Sequence, residues 1–115
     1  MDYKFRVDFL EEVKDFLDDL DEKAREKIFY NIWKARSTND KELLKKLQDE
    51  IWEFRTLYRK TYYRLFAFWD KEDKMEAVVI STHGLIKKTD KTPKSEIEKA
   101  ERLREKYFNE KNKKK

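Results

Sequence analysis

Arg64 stands between Tyr63 and Leu65 inside an aromatic and apolar run, and Arg55 ends the segment Ile51-Trp52-Glu53-Phe54-Arg55. Burying a guanidinium without a partner is costly, so each must meet a carboxylate or face an open cleft. Two outcomes stay open. In one, Arg64 pairs with Glu53 across a sheet, because inward-pointing charges are paired. In the other, Arg55 and Arg64 lie on an exposed sheet face and grip a phosphate bidentately, for which the planar fork of Arg is better suited than Lys. Lys87 and Lys88, in His83-Gly84-Leu85-Ile86-Lys87-Lys88-Thr89, could close that cleft from its edge, although a charged strand end is most often just solvated.

His83 is the only histidine. Its titration range suits an acid or base, but a lone histidine is more often structural. Trp52, Tyr58, Tyr62, Tyr63 and Trp69 offer faces on which unpaired bases could stack beside the cations. Strand aromatics are usually core, so only those next to Arg55 and Arg64 are expected to stack. Trp52 and Tyr62 are the candidates. With no Cys and one His, a metal could be held only by carboxylates, and no EF-hand spacing occurs among them. A single Gly excludes a P-loop, a dinucleotide glycine pattern and a nucleophile elbow. No metal site and no cofactor are expected.

The elements that must position these groups come from a chain of 115 residues, the size of one domain. The reading is a single domain over 1–109 and a frayed basic tail over 110–115. Charged residues make up 47%, which suits disorder, but 15% aromatics with one Gly and one Pro do not. Residues 1–53 carry 11 Lys and Arg against 15 Asp and Glu, and residues 54–115 carry 18 against 10, so the halves are −4 and +8. That dipole favours an anionic partner on the C-terminal half. No signal-peptide pattern or membrane-length apolar stretch occurs, so a soluble, cytoplasmic protein without membrane contact is expected.

Phe9, Leu10, Val13, Phe16, Leu17 and Leu20 form the stripe of an amphipathic helix. Asp21 is placed to cap a second, with Ala24, Ile28, Ile32 and Ala35 as its seam and Phe29 and Trp33 widening it. Residues 37–40 read as a loop. After residue 50 the period becomes two-fold, giving strands at 51–55, 62–69 and 77–82, with a polar turn over 70–74. A short strand from Tyr3 to Val7 could join at the edge. Thr92-Pro93 starts a last helix through Ile97, Ala100, Leu103 and Tyr107. The fold class is α+β: a small antiparallel sheet, an N-terminal helical hairpin and a C-terminal helix, with the helices on one sheet face.

This pattern resembles the RelE/HigB superfamily of toxins from bacterial toxin–antitoxin pairs, especially its HigB-like, phage-related branch. The likeness is carried by Ile51-Trp52-Glu53-Phe54-Arg55, by Tyr63-Arg64-Leu65-Phe66, and by His83-Gly84-Leu85-Ile86-Lys87-Lys88-Thr89 with Lys91-Thr92-Pro93 and Glu96-Ile97. It covers about residues 3–108. The resemblance implies a RelE/ParE-like toxin that cleaves mRNA on the ribosome and is silenced by a HigA-like antitoxin, the toxin alone being a monomer. It makes Arg55, Arg64, Lys87 and Lys88 the active-site cations, with His83 a weaker acid/base candidate and Lys91, in the Lys91-Thr92-Pro93 segment, a further RNA contact. The RNA's own 2′-hydroxyl would attack the adjacent phosphate without a metal. Arg64 would hold the phosphorane-like charge, Arg55 would position the phosphate, and a lysine would assist proton transfer or bind backbone. The branch often has a glycine between the two Arg strands. Thr56 to Thr61 has none, so that turn must be built differently. Some relatives poison gyrase, so a non-catalytic or degenerate toxin acting by protein binding is the alternative.

Overall fold

The computed structural model describes residues 5–38, 40–72, 77–89 and 91–113. In chain order these form β1 (Arg6–Phe9), α1 (Glu11–Asp18), α2 (Glu22–Ser37), β2 (Leu44–Gln48), β3 (Ile51–Tyr58), β4 (Thr61–Asp70), β5 (Val78–Lys87) and α3 (Lys94–Lys113). The strands make one sheet in the order β1-β5-β4-β3-β2. All neighbours are antiparallel except β1, which runs parallel to β5. The mixed α+β class expected from sequence is therefore found, with one parallel edge added.

Local chemistry explains most boundaries. Asp21 accepts a hydrogen bond from the backbone N–H of Ala24 at 3.3 Å, the cap anticipated for α2. The glycine-free turn between β3 and β4 is a two-residue hairpin in which Arg59 and Lys60 take φ of 50° and 63°. Both residues lie in the left-handed region that a primed turn requires and that side chains disfavour. Gly84 is needed for another reason: a Cβ there would run into the ring of Phe16 from α1.

Four expectations change. Strand β2 lies where no strand was read, because Leu44-Lys45-Lys46-Leu47-Gln48 has two adjacent lysines and little β-branching. The edge strand is Arg6–Phe9, so Phe9 ends a strand and α1 begins after it; Tyr3 and Lys4 lie outside the described residues, as do 73 and 74 of the expected turn. Phe29 and Trp33 do not widen the α2 seam; they are 44% and 38% exposed, while Asn31 takes the inward position and donates to Thr56 Oγ1 at 3.1 Å. The tail is helical through Lys113, and Lys111 pairs with the buried Asp70 at 2.6 Å.

The helices also do not share a face. Val13, Leu17, Ile28, Ile32 and Ala35 of α1 and α2 pack on Phe54, Leu65, Ala67 and Val79. Ile97 and Ala100 of α3 pack with Ile51, Phe66, Phe68, Val78 and Ile80 in a second core. Strand β4 demands this, because Leu65-Phe66-Ala67-Phe68 is apolar at both parities and each face must be covered. No helix of the described residues is long and apolar enough to cross a membrane.

Candidate functional site

The cations meet on the α3 side of the sheet, beyond the N-terminal end of that helix. Register places Arg55 opposite Arg64, Glu53 opposite Phe66, and Tyr62 opposite Lys87. Directly opposed residues point to the same face, so the three cations and Glu53 share one surface. Glu53 is 2% exposed. Its Oε1 lies 3.4 Å from Nε of Arg64 and 3.5 Å from Nε of Arg55. Its Oε2 accepts from the Thr92 hydroxyl at 3.1 Å, and Thr92 Oγ1 in turn accepts from Lys87 Nζ at 3.2 Å.

The two open outcomes for Arg64 are thereby decided in favour of the pair with Glu53. Its side chain is only 2% exposed, it donates to the Tyr63 carbonyl at 3.4 Å, and it lies 5.1 Å from the centre of the Tyr62 ring. The expectation that both guanidinium groups point into open solvent fails for Arg64 and holds in part for Arg55, whose side chain is 20% exposed. The reason is cross-strand geometry: Glu53 lies two residues before Arg55 on the same face, and Arg64 is opposite Arg55, so one carboxylate reaches both. A cleft of about 410 Å³ is nevertheless lined by Arg55, Arg64 and Tyr62, together with Asn31, Thr56 and Glu42. Three cations around one buried carboxylate leave a local surplus of positive charge.

The remaining candidates separate. Lys87 is buried against Thr92, Lys88 and Lys91 are exposed, and none of the three is among the residues that line this cleft. Tyr62 lines it; Trp52 points to the opposite face, edge-on to Trp69 at 6.1 Å. His83 is 1% exposed and stacked on Phe66 with centroids 4.7 Å apart. Its Nε2 is 2.8 Å from Glu96 Oε2 and its Nδ1 is 3.0 Å from Thr82 Oγ1. A carboxylate only accepts, so Nε2 carries the proton. Burial pushes the imidazole below its ordinary pKa of 6.5, against the opposing pull of Glu96. The ring is thus buried against Phe66 and held by Glu96 of α3, apart from the residues that line the cation cleft.

Sequence reading missed Thr92 as the bridge between Lys87 and Glu53, and Glu96 as the partner of His83. No spacing rule marks Glu96 as that partner, because the contact spans 13 residues and depends on how α3 packs on the sheet. Nothing in the sequence marked Asn31 or Glu42, which reach the cleft from other elements. Among the described residues no group of His, Cys, Asp and Glu could hold a metal ion.

A family model described as "Phage derived protein Gp49-like (DUF891)" matches residues 15–105, which takes in α2, the strands from β2 to β5 and the cation cleft. The chain belongs to the Gp49-like family. This family is associated with RelE-like toxins of toxin–antitoxin pairs, and an antitoxin is the partner that the association suggests. The Gp49-like match stops short of β1 and of the last turns of α3. No curated protein matches the chain.

Proposed function

We propose that this Gp49-like protein is the toxin of a toxin–antitoxin pair and cleaves mRNA on the ribosome. The observation that supports the reading is the grouping of Arg55, Arg64 and, through Thr92, Lys87 around one carboxylate, Glu53, with Arg55 and Arg64 lining a cleft. An excess of fixed cations in a half-buried site suits a phosphate whose charge grows in the transition state. The 2′-hydroxyl oxygen of the RNA attacks the adjacent phosphorus and gives its proton to water, the bond from phosphorus to the 5′-oxygen breaks, and that leaving oxygen takes a proton from water, leaving a 2′,3′-cyclic phosphate and a 5′-hydroxyl. The protein supplies position and charge. Arg55, the more exposed guanidinium, contacts the phosphate. Arg64 acts from behind it by sharing Glu53, which keeps Arg55 from being wholly neutralised. Tyr62 offers a stacking face, and the exposed Lys88 and Lys91, outside the cleft lining, bind the RNA backbone farther along the strand.

The inward pairing of Arg64 with Glu53 favours a second reading, a non-catalytic toxin that acts by binding a protein such as gyrase. Tightly controlled expression with mapping of mRNA 5′ ends separates the two. The nuclease reading expects new 5′ ends that vanish in a folded Arg55→Ala protein. Growth arrest without new ends refutes it and leaves the protein-binding reading.

A further inference from the structure

We propose that the cation cleft continues over edge strand β2 as a second subsite for the phosphate backbone of single-stranded RNA, formed by Lys41, Lys45 and Lys46 with Trp52 as a stacking platform. It rests on the reading of the Arg55 cleft given above and lengthens its footprint. The cleft of about 410 Å³ borders another of about 520 Å³, and the two have Arg55 and Glu42 in common. Lys41, Lys45 and Lys46 line the second cleft, and all three are exposed. With Arg55 they set four cations against one carboxylate, Glu42.

Register makes the arrangement suited to a polyanion. Lys45 is opposite Glu53 and Lys46 opposite Trp52, so successive lysines lean to opposite faces of the sheet. A strand of RNA crossing the edge from the Arg55 face to the Trp52 face therefore meets a cation on each side. Trp52 is half-buried and held edge-on to Trp69 at 6.1 Å, so its ring is already ordered before a base arrives. Base–aromatic stacking tolerates any sequence, which matches a site built of lysines and one ring.

The test uses 2′-O-methyl RNA, which cannot be cleaved, as a trinucleotide and as a dodecamer, with affinity read by fluorescence anisotropy over a range of salt. Lys41→Ala/Lys45→Ala/Lys46→Ala should lower the slope of log affinity against log salt for the dodecamer by about 2, at about 0.7 per lost phosphate contact. Trinucleotide binding, confined to the Arg55 cleft, should not change, and the triple Lys→Arg variant should retain the wild-type slope. Lysines that merely guard a sheet edge would leave dodecamer affinity and slope unaltered, which overturns the subsite. Loss of antitoxin binding with RNA binding intact overturns it too, as does a wild-type protein that fails to bind the dodecamer. Arg55→Ala scores the cleft separately: trinucleotide binding that survives it counts against the proposed function, while the lysine result is still read on the dodecamer.

Discussion

Replacing Glu53 by Gln removes the one carboxylate on which two guanidinium groups converge, with little change of shape. Glu53 and Arg64 have side chains 3% and 2% exposed, so the variant removes the carboxylate charge that faces a buried guanidinium. Breaking a buried pair from one side costs about 3–5 kcal/mol, out of a total stability of about 5–15 kcal/mol for a domain. The chain has 115 residues, and unfolding entropy of about 2.1 cal/mol/K per residue gives about 0.24 kcal/mol per degree. The expected fall in Tm is therefore about 12–20 °C. Removing both partners should be milder: Glu53→Gln with Arg64→Met deletes the buried guanidinium charge and fills its volume, so the double variant should be more stable than Glu53→Gln alone. Thermal and urea unfolding of the wild type, the two single variants and the double variant complete the cycle. A loss below about 1 kcal/mol in Glu53→Gln, or a double variant no better than the sum of the singles, refutes the claim that this carboxylate organises the cluster.

Other outcomes follow from particular contacts. Lys60→Gly should stabilise the protein by about 1 kcal/mol in urea unfolding, because Lys60 sits at φ 63° and Gly takes that conformation without a Cβ clash. Gly84→Ala should cost about 1–3 kcal/mol, since the new methyl group must displace the Phe16 ring, and the loss should show as a lower urea midpoint. Burial depresses the His83 pKa from 6.5, so the unfolded chain binds a proton more readily. Stability should then fall as pH drops below about 6.5, and the pH dependence of Tm in that range should flatten in His83→Gln. Tyr107 is pushed up to about 12 by burial and by its hydrogen bond to Asp70 at 2.7 Å. Its contribution is complete below the unfolded value of 10 and is lost as pH rises toward about 12, so Tyr107→Phe should unfold with a shallower alkaline slope.

How much of this was legible in the sequence depends on whether the deciding interaction was local. The seam of α2, its Asp21 cap, the three central strands and the last helix follow from periods of 3.6 and 2 and from capping chemistry, all of which act within a few residues. The pairing of Arg64 with Glu53 was readable as a rule about buried charge but not as a fact. It required the register that puts Arg55 opposite Arg64, and register is set by contacts between residues far apart in the chain. Strand β2 was invisible because its stability comes from pairing with β3 and not from the propensity of its lysines. The sequence reading puts all helices on one sheet face; the structure sets α3 on the other, because the run at 65–68 is apolar at both parities and only packing assigns which helix covers which side. Residue types alone thus determined that arginines, aromatics and a glutamate would lie on neighbouring strands, and that a buried guanidinium would need a carboxylate or a cleft. Which guanidinium faces solvent, which is sealed, and that His83 lies beneath Glu96 were decided by the tertiary fold, because burial and partner choice are properties of the assembled layers.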